Sequence, residues 1–265
     1  MFKPMKKISF IILGFIVIIS CNSNSASETV DPVITPQQSS IQLINQYPHN
    51  ESSFTEGLEY RDSSLYESTG LYGTSKLSKI DLSSGKDILK IDLDKKYFGE
   101  GITIINNKMF QMTYKEEKCF VYDVKSFKKI QEFSYKGEGW GMTNDGKQII
   151  NSNGSNNLYY RNANTFAEEN IIAIFDEHGP LANINELEYV DGFIYANVWL
   201  KKYIVKIDPK QGKVVAKFDY TGLMNQYMPN LNEDAVLNGI AYNKQKQTFY
   251  ITGKNWPLLF EVKMN

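Results

Sequence analysis

Hydrophobic and polar positions alternate along most of this chain in short runs, the pattern that is typical of β-strands. Runs rich in Val, Ile, Tyr and Phe recur between turn signals such as Ser84-Gly85, Asp145-Gly146 and Asp191-Gly192. Long stretches of helical periodicity are hard to find. The pattern therefore predicts a predominantly β protein.

One strand pattern returns five times. Each copy opens with a Gly or a polar residue before an apolar one, at Glu56-Gly57-Leu58, Glu100-Gly101-Ile102, Trp140-Gly141-Met142, Glu186-Leu187 and Asn238-Gly239-Ile240. Successive copies lie 44, 40, 45 and 53 residues apart, and at least two further strand-like runs follow each opening. Several strands per repeat at this period are typical of propeller blades. The sequence therefore predicts an all-β, five-bladed β-propeller.

The fifth copy ends at the last residue of the chain, just after its third strand. A further strand-like run, residues 41–47, precedes the first copy and has no blade of its own. We expect this N-terminal strand to join the last blade as its outer strand, which closes the ring and removes an exposed edge.

The first twenty residues have the layout of a secretory signal peptide. Three lysines precede an apolar run from Ile8 to Ile19, which is too short for a comfortable membrane span. The run leads into Cys21 in a pattern that resembles a bacterial lipobox. We therefore expect a lipoprotein-type signal peptide (1–20), a lipidated Cys21, a flexible tether (21–40) and a folded domain (41–265). This predicts a protein anchored by lipid in the bacterial cell envelope, facing the periplasm or the outer membrane.

Charge and composition exclude several classes of function. Without residues 1–20 the chain carries a formal charge of −4, and it has no basic footprint for nucleic acid. Its two histidines are too few and too isolated for a zinc site of the usual kind.

The first strand of each propeller blade lines the channel, so equivalent residues of different copies converge in space. The ends of the second strands lie beside them. The predicted ring comprises Glu56, Glu100, Trp140, Asn185, Glu186 and Asn238, with Thr69, Tyr114, Trp199 and Lys254. Several carboxyl groups and two of the three tryptophans therefore gather at one channel mouth.

Seven segments of the chain resemble the plant-type glutaminyl-peptide cyclotransferases, or glutaminyl cyclases, in the same order. They are Tyr47-Pro48-His49-Asn50 with Phe54-Thr55-Glu56-Gly57-Leu58, Phe98-Gly99-Glu100-Gly101, Gly137-Glu138-Gly139-Trp140-Gly141, Asn185-Glu186-Leu187-Glu188, Ala196-Asn197-Val198-Trp199, Leu237-Asn238-Gly239-Ile240-Ala241 and Thr252-Gly253-Lys254-Asn255-Trp256-Pro257. The resemblance covers the chain from about Ile41 to its end.

The resemblance implies an enzyme that converts N-terminal glutamine of peptides or exported proteins to pyroglutamate and releases ammonia. It implies Glu100 as the proton shuttle and Lys254 as the cation that holds the developing oxyanion. The substrate-binding residues that it implies are Phe54, Glu56, Phe98, Tyr114, Trp140, Asn185 and Trp199. Trp140 and Trp199 would wall the pocket.

Two positions depart from the family pattern. Glu56 stands where most relatives have Gln, so the family pattern does not fix the shape of the pH profile. Tyr114 stands where plant enzymes have a third tryptophan, so the family pattern does not fix how tight or polar the pocket wall is. The resemblance implies no required cofactor, and it allows a structural calcium ion in the channel, held largely by backbone oxygens and water. We expect a monomer.

Two other functions stay open. One is a metal-dependent propeller hydrolase or lactonase that uses the channel carboxylates. The other is a non-catalytic binding propeller of the cell envelope, because a fold does not fix a function.

Overall fold

The computed structural model describes residues 36–265, and their strands form five sheets. Two N-terminal strands come first: β1 (Gln37–Gln38) and β2 (Ile41–Pro48). The first blade comprises β3 (Thr55–Arg61), β4 (Ser64–Thr69), β5 (Lys76–Asp81) and β6 (Lys86–Asp92). The second comprises β7 (Gly99–Ile105), β8 (Lys108–Thr113), β9 (Lys118–Asp123) and β10 (Lys129–Ser134).

The remaining blades follow in chain order. The third comprises β11 (Met142–Asn144), β12 (Gln148–Asn151), β13 (Asn157–Asn162) and β14 (Glu168–Ala173). Two short strands, β15 (Phe175–Asp176) and β16 (Gly179–Pro180), lead to the fourth, which comprises β17 (Ile184–Val190), β18 (Phe193–Val198), β19 (Tyr203–Asp208) and β20 (Lys213–Asp219). Helix α1 (Thr221–Tyr227) precedes the last blade, which comprises β21 (Leu237–Asn243), β22 (Thr248–Gly253) and β23 (Leu258–Met264).

The first strands of the blades form a closed ring. Strand β3 contacts β7, β7 contacts β11, β11 contacts β17, β17 contacts β21, and β21 contacts β3 again. Within each blade, consecutive strands pair antiparallel from the first strand outward. The predicted five-bladed β-propeller is confirmed.

Strand β2 closes the ring, as the unassigned N-terminal run predicted. It pairs antiparallel with β23 along its whole length, from Ile41 opposite Met264 to Pro48 opposite Leu258. The last blade is therefore built from both ends of the described chain, and the free edge of β23 is covered.

Burial falls from the first strand of a blade to the last. Every residue of β7 is buried, whereas β6 and β10 are mostly exposed. Inner strands are covered on both faces by neighbouring blades, which explains runs such as Ile102 to Ile105 with little polar alternation. Burying one Leu or Ile side chain in this way contributes about 1.5–3 kcal/mol.

The longer spacing before the fifth copy reflects an insertion between β20 and β21. It contains α1 and a loop that ends with Val236, whose carbonyl accepts a hydrogen bond from the Lys254 amide at 2.9 Å. The sequence did not predict this helix, because seven residues are too few for a clear helical period. The insertion therefore lies at the end of the propeller where Lys254 sits.

Strand β1 lies within the segment expected to be a tether. Gln37 and Gln38 pair in parallel with Ala216 and Lys217 of β20, so part of the expected tether forms a β-strand. The predicted signal peptide and Cys21 lie outside the described residues. Among residues 36–265, no helix has the length and apolar character that a membrane crossing requires.

Candidate functional site

The predicted site residues of the first strands lie at repeated irregularities of the β-ladder. The register between first and second strands shifts from Thr55 to Gly57 in blade one, from Gly99 to Ile102 in blade two, from Ile184 to Leu187 in blade four and from Leu237 to Ile240 in blade five. Such bulges re-aim side chains. They contain Glu56, Glu100, Asn185 and Asn238, so four blades use the same device to present a polar group.

Glycine allows the inner strands to meet closely beside these bulges. A Cβ atom on Gly57 would lie 2.6 Å from the backbone nitrogen of Ile102, and one on Gly101 would lie 2.5 Å from that of Met142. Each glycine therefore packs against the backbone of the next blade. The recurring Glu-Gly pair places an acid at the mouth of a narrow channel.

Lys254 and Glu56 form a buried ion pair. The Lys254 Nζ lies 2.6 Å from Glu56 Oε1, and both side chains are more than nine-tenths buried. Asn238 Nδ2 donates a second hydrogen bond to Glu56 Oε2 at 3.1 Å. Glu56 is therefore held by two donors from the last blade, although it belongs to the first.

Glu100 completes this group, which we call the charge centre (Glu56, Glu100, Asn238 and Lys254). Its carboxyl lies within hydrogen-bond distance of the Glu56 carboxyl, and it is 5% exposed. Burial and then the nearby charge of Glu56 raise the pKa of Glu100 well above its usual value. Burial also raises the pKa of Glu56, against the lowering effect of Lys254. The catalytic pair expected from the sequence thus lies at one end of the channel, joined through Glu56.

The first aromatic wall contains Phe54, Phe98 and Tyr114. The Lys254 Nζ lies 4.4 Å from the centre of the Phe54 ring, a cation–π contact. Phe98 contacts Phe54 edge-on at 6.2 Å and Tyr114 at 5.6 Å between ring centres. A Cβ atom on Gly70 would lie 2.3 Å from the Phe98 ring, so only glycine fits behind this wall.

The second wall contains Trp140 and Trp199. Their rings meet edge to face, with centres 5.9 Å apart. Trp140 is half-buried and donates from Nε1 to Glu138 Oε2 at 3.1 Å, while Trp199 is 40% exposed and belongs to the rim. These two rings come from blades three and four, as the repeat predicted. Trp256 is fully buried and donates to the Ala235 carbonyl, so it packs the core.

Three buried asparagines near the channel mouth carry unpaired polar atoms. Asn185 Oδ1, Asn238 Oδ1 and Asn197 Nδ2 lack hydrogen-bond partners within residues 36–265. A buried polar atom without a partner costs about 1–3 kcal/mol. The unpaired oxygens of Asn185 and Asn238 can accept hydrogen bonds from an amine or amide group of a ligand.

Glu186, which also belongs to the predicted ring, connects blades of the propeller. Its two carboxyl oxygens accept hydrogen bonds from the Leu58 amide at 3.1 Å and the Ile240 amide at 2.8 Å. Blade four is thereby tied to blades one and five across the channel. Burial raises the pKa of Glu186 well above its usual value.

His49 supports the turn that carries Lys254, which the sequence did not reveal. Its Nε2 lies 2.8 Å from Glu67 Oε1 and its Nδ1 lies 2.8 Å from the Trp256 carbonyl oxygen. Both partners are acceptors, so both ring nitrogens donate and the ring is an imidazolium. Burial lowers the pKa of His49, but the charge and hydrogen bond of Glu67 raise it by more, so the pKa is raised overall.

The expected calcium ion stays a prediction. Within residues 36–265, no cluster of three or more His, Cys, Asp or Glu side chains has the arrangement of a metal site. A site of backbone oxygens and water is a different arrangement.

All nine predicted active-site residues therefore lie at one end of the propeller. They form two aromatic walls around a buried group of two acids and an ammonium, with Asn185 beside the second wall. The sequence pattern missed Glu138, which binds the Trp140 indole, and Tyr72, whose ring lies 5.4 Å from Phe98. The fold and site define a propeller suited to proton transfer on a small polar substrate.

Comparison with known proteins assigns the chain to one family. The glutamine cyclotransferase family matches residues 14–264. A glutaminyl-peptide cyclotransferase from Arabidopsis thaliana is 31% identical over 267 residues, which cover all of this chain and 83% of the relative. The crystal structure of Myxococcus xanthus glutaminyl cyclase superposes with a TM-score of 0.82 at 31% identity, covering 87% of this chain and 98% of that one. The chain belongs to the glutamine cyclotransferase family.

Proposed function

We propose that this chain is a glutaminyl-peptide cyclotransferase, which converts N-terminal glutamine to pyroglutamate and releases ammonia. The observation that carries the proposal is the charge centre, where Glu56 contacts both Glu100 and Lys254 between two aromatic walls. Family membership supports the same reaction. It favours a cyclotransferase over a metal-dependent hydrolase or a binding propeller.

The reaction is internal to the substrate. The α-amine of glutamine attacks its own side-chain amide carbon, and a new C–N bond closes a five-membered ring. The old bond from that carbon to the amide nitrogen then breaks. One proton leaves the ring nitrogen and one reaches the leaving nitrogen, which departs as ammonia. The enzyme must therefore move a proton, stabilise an oxyanion and fold the flexible side chain.

Glu100 is the proton shuttle in this proposal. Once its buried carboxyl at the channel mouth is ionised, it takes the proton from the attacking nitrogen and delivers it to the leaving nitrogen. A raised proton affinity suits this task, because the best general acid–base group has a pKa near the working pH. A well-placed group of this kind contributes about 10²–10⁴-fold to the rate.

Lys254 stabilises the oxyanion that develops on the amide oxygen. Its ammonium is fixed between Glu56 and the Phe54 ring, so little reorganisation is needed when the charge appears. A preorganised oxyanion donor contributes about 3 kcal/mol.

The aromatic walls and two asparagines bind the substrate. Trp140 and Trp199 confine the glutamine side chain in the folded shape that precedes ring closure. The unpaired oxygens of Asn185 and Asn238 accept hydrogen bonds from the substrate's amine and amide groups.

The cell envelope is the proposed place of action. Residues 1–21 support export and lipid anchoring at Cys21, so the substrates we propose are peptides or exported proteins that begin with glutamine. We further propose that the chain acts as a monomer and needs no cofactor.

Incubation of the purified folded domain with a glutamine-initiated peptide tests this proposal. We expect release of one ammonia per peptide and a matching mass loss, with and without exhaustive chelation. A peptide with an acetylated N-terminus is the matched control and should stay unchanged. Absence of ammonia from the free peptide, or activity that is strictly metal-dependent, would overturn the proposal.

A further inference from the structure

The charge centre contains one more acid than base. Glu56, Glu100 and Lys254 are each more than nine-tenths buried, and the two carboxyl groups lie within hydrogen-bond distance of each other. Two buried carboxylates this close cannot both ionise cheaply. Glu56 and Glu100 lie at equivalent bulges of adjacent inner strands, so one proton between them relieves the repulsion at the lowest cost.

The donors around the pair decide which acid keeps the negative charge. Lys254 Nζ donates to Glu56 Oε1 at 2.6 Å, and Asn238 Nδ2 donates to Glu56 Oε2 at 3.1 Å. Both bonds stabilise the ionised form of Glu56. The shared proton therefore belongs to Glu100 in the resting protein, and the charge belongs to Glu56.

The charged groups nearest to Glu100 act in the same sense. Glu138 and Glu116, from loops beside blades three and two, add negative charge near Glu100. The Tyr135 hydroxyl lies near Glu100 and donates to the Thr113 carbonyl. Glu186 of blade four acts in the opposite sense, because its charge lies near Glu56, but its oxygens accept hydrogen bonds from the Leu58 and Ile240 amides. Lys254 is the cation that opposes Glu138 and Glu116 at Glu100, and its direct contact is with Glu56. The surroundings as a whole thus favour a protonated Glu100.

We propose that Glu56 is a positioning residue that keeps the resting proton on Glu100 and the Lys254 ammonium in place, and thereby sets the pH range of turnover. The inference rests on the proposed function for its consequence in catalysis. The geometry of the proton-sharing pair is independent of it. A shuttle acid whose pKa approaches that of the substrate's α-amine exchanges a proton with it at little cost.

The Glu56→Gln variant tests the proposal because it keeps the side-chain shape and removes the charge. We expect Glu100 to ionise at a pH lower by about one unit or more. Carbon-13 NMR of protein labelled at the glutamate carboxyl carbon reads this directly, with the Glu100 signal assigned by its loss in Glu100→Gln. The acid limb of kcat/KM, measured with one glutamine-initiated peptide throughout, should move in the same direction.

Two further variants make the test specific. Glu188→Gln removes another buried carboxyl, at the opposite mouth of the channel. It should change neither the NMR midpoint of Glu100 nor the acid limb of kcat/KM.

Asn238→Ala removes one donor to Glu56 without changing any charge, and draws the shared proton toward Glu56. The Glu100 midpoint should therefore also fall in this variant, which replaces Glu56→Gln if that protein does not fold.

The outcomes separate this inference from the proposed function. An unmoved Glu100 midpoint in the Glu56 variant, or in its Asn238 replacement, overturns proton sharing whether or not the protein is active. An unmoved acid limb in an active protein overturns the role in turnover. Inactivity of the parent with a shifted NMR midpoint contradicts the cyclotransferase function and leaves the proton-sharing pair standing.

Discussion

Lys254 and Glu56 lie 198 positions apart in the sequence, and their side chains meet at 2.6 Å in the last and first blades. The contact crosses the seam at which the propeller closes. It joins the two ends of the repeat at the place where the proposed reaction occurs. Closure of the ring therefore brings these two site residues together.

Breaking this ion pair should cost both stability and activity. Lys254→Met leaves two buried acids without their cation, and removal of one partner of a buried pair costs about 3–5 kcal/mol. We expect a lower melting temperature and a loss of kcat of about 10²–10³-fold. The double variant Lys254→Met with Glu56→Gln removes both charges of the pair. Its melting temperature should therefore rise back toward that of the parent, while its activity should stay low. Equal melting temperatures for the single and double variants would contradict this coupling.

Removal of strand β2 should prevent folding. Deletion of residues 41–47 exposes the edge of β23 and removes a complete outer strand from the last blade. We expect loss of the cooperative thermal transition, measured by circular dichroism. A matched deletion that ends at residue 35 keeps β1 and β2 and should melt like the parent. A normal transition in the protein that lacks residues 41–47 would show that β2 does not close the ring.

The His49–Glu67 pair should stabilise the fold most in mildly acidic solution. The pKa of His49 is raised above 6.5, so its contribution is complete below that value and is lost as pH rises through the raised pKa. The pKa of Glu67 is lowered from 4.5, because His49 outweighs burial, so its contribution is lost as pH falls through the lowered value.

The difference in melting temperature between the parent and His49→Gln should therefore be largest between about pH 4.5 and 6.5 and shrink in alkaline solution. His178 is exposed, and His178→Gln is the matched control, with no such difference expected. A difference that is constant with pH would contradict the charged pair.

The tryptophan wall should act mainly on substrate binding. Trp199 is 40% exposed, so Trp199→Ala should change the melting temperature little and raise KM for glutamine-initiated peptides several-fold. Trp256 is fully buried in the core, and Trp256→Phe should do the reverse, lowering stability with KM unchanged. Steady-state kinetics and thermal melting of both proteins check this contrast. An unaltered KM in the Trp199 variant would remove this ring from the binding wall.

The repeat pattern predicted most of the fold because each copy carries its own strands and its own glycine. Gly57 and Gly101 mark the close contacts between inner strands, and they recur at blade spacing. The closing strand was found by elimination, since residues 41–47 had no blade. Helix α1 and strand β1 were not predicted, because seven and two residues give no period to detect.

The members of the site followed from the repeat and the family resemblance, while their pairing did not. The Glu56 position was recognised as a departure from the family pattern, and Glu56 was expected to contact substrate. In the structure, Glu56 contacts Lys254 and Asn238 across the closed ring, and its contact with substrate stays a prediction. The partners of His49 were equally hidden, because Glu67 and Trp256 are distant in sequence and meet only in the folded last and first blades.

Turnover by the Glu100→Gln variant is the most direct test of the account. The substitution keeps the size of the side chain and removes its ability to take and return a proton. We expect the variant to fold, to bind a glutamine-initiated peptide, and to release ammonia about 10²–10⁴-fold more slowly than the parent. Ammonia release at the parental rate from a folded Glu100→Gln protein would contradict the proposed mechanism.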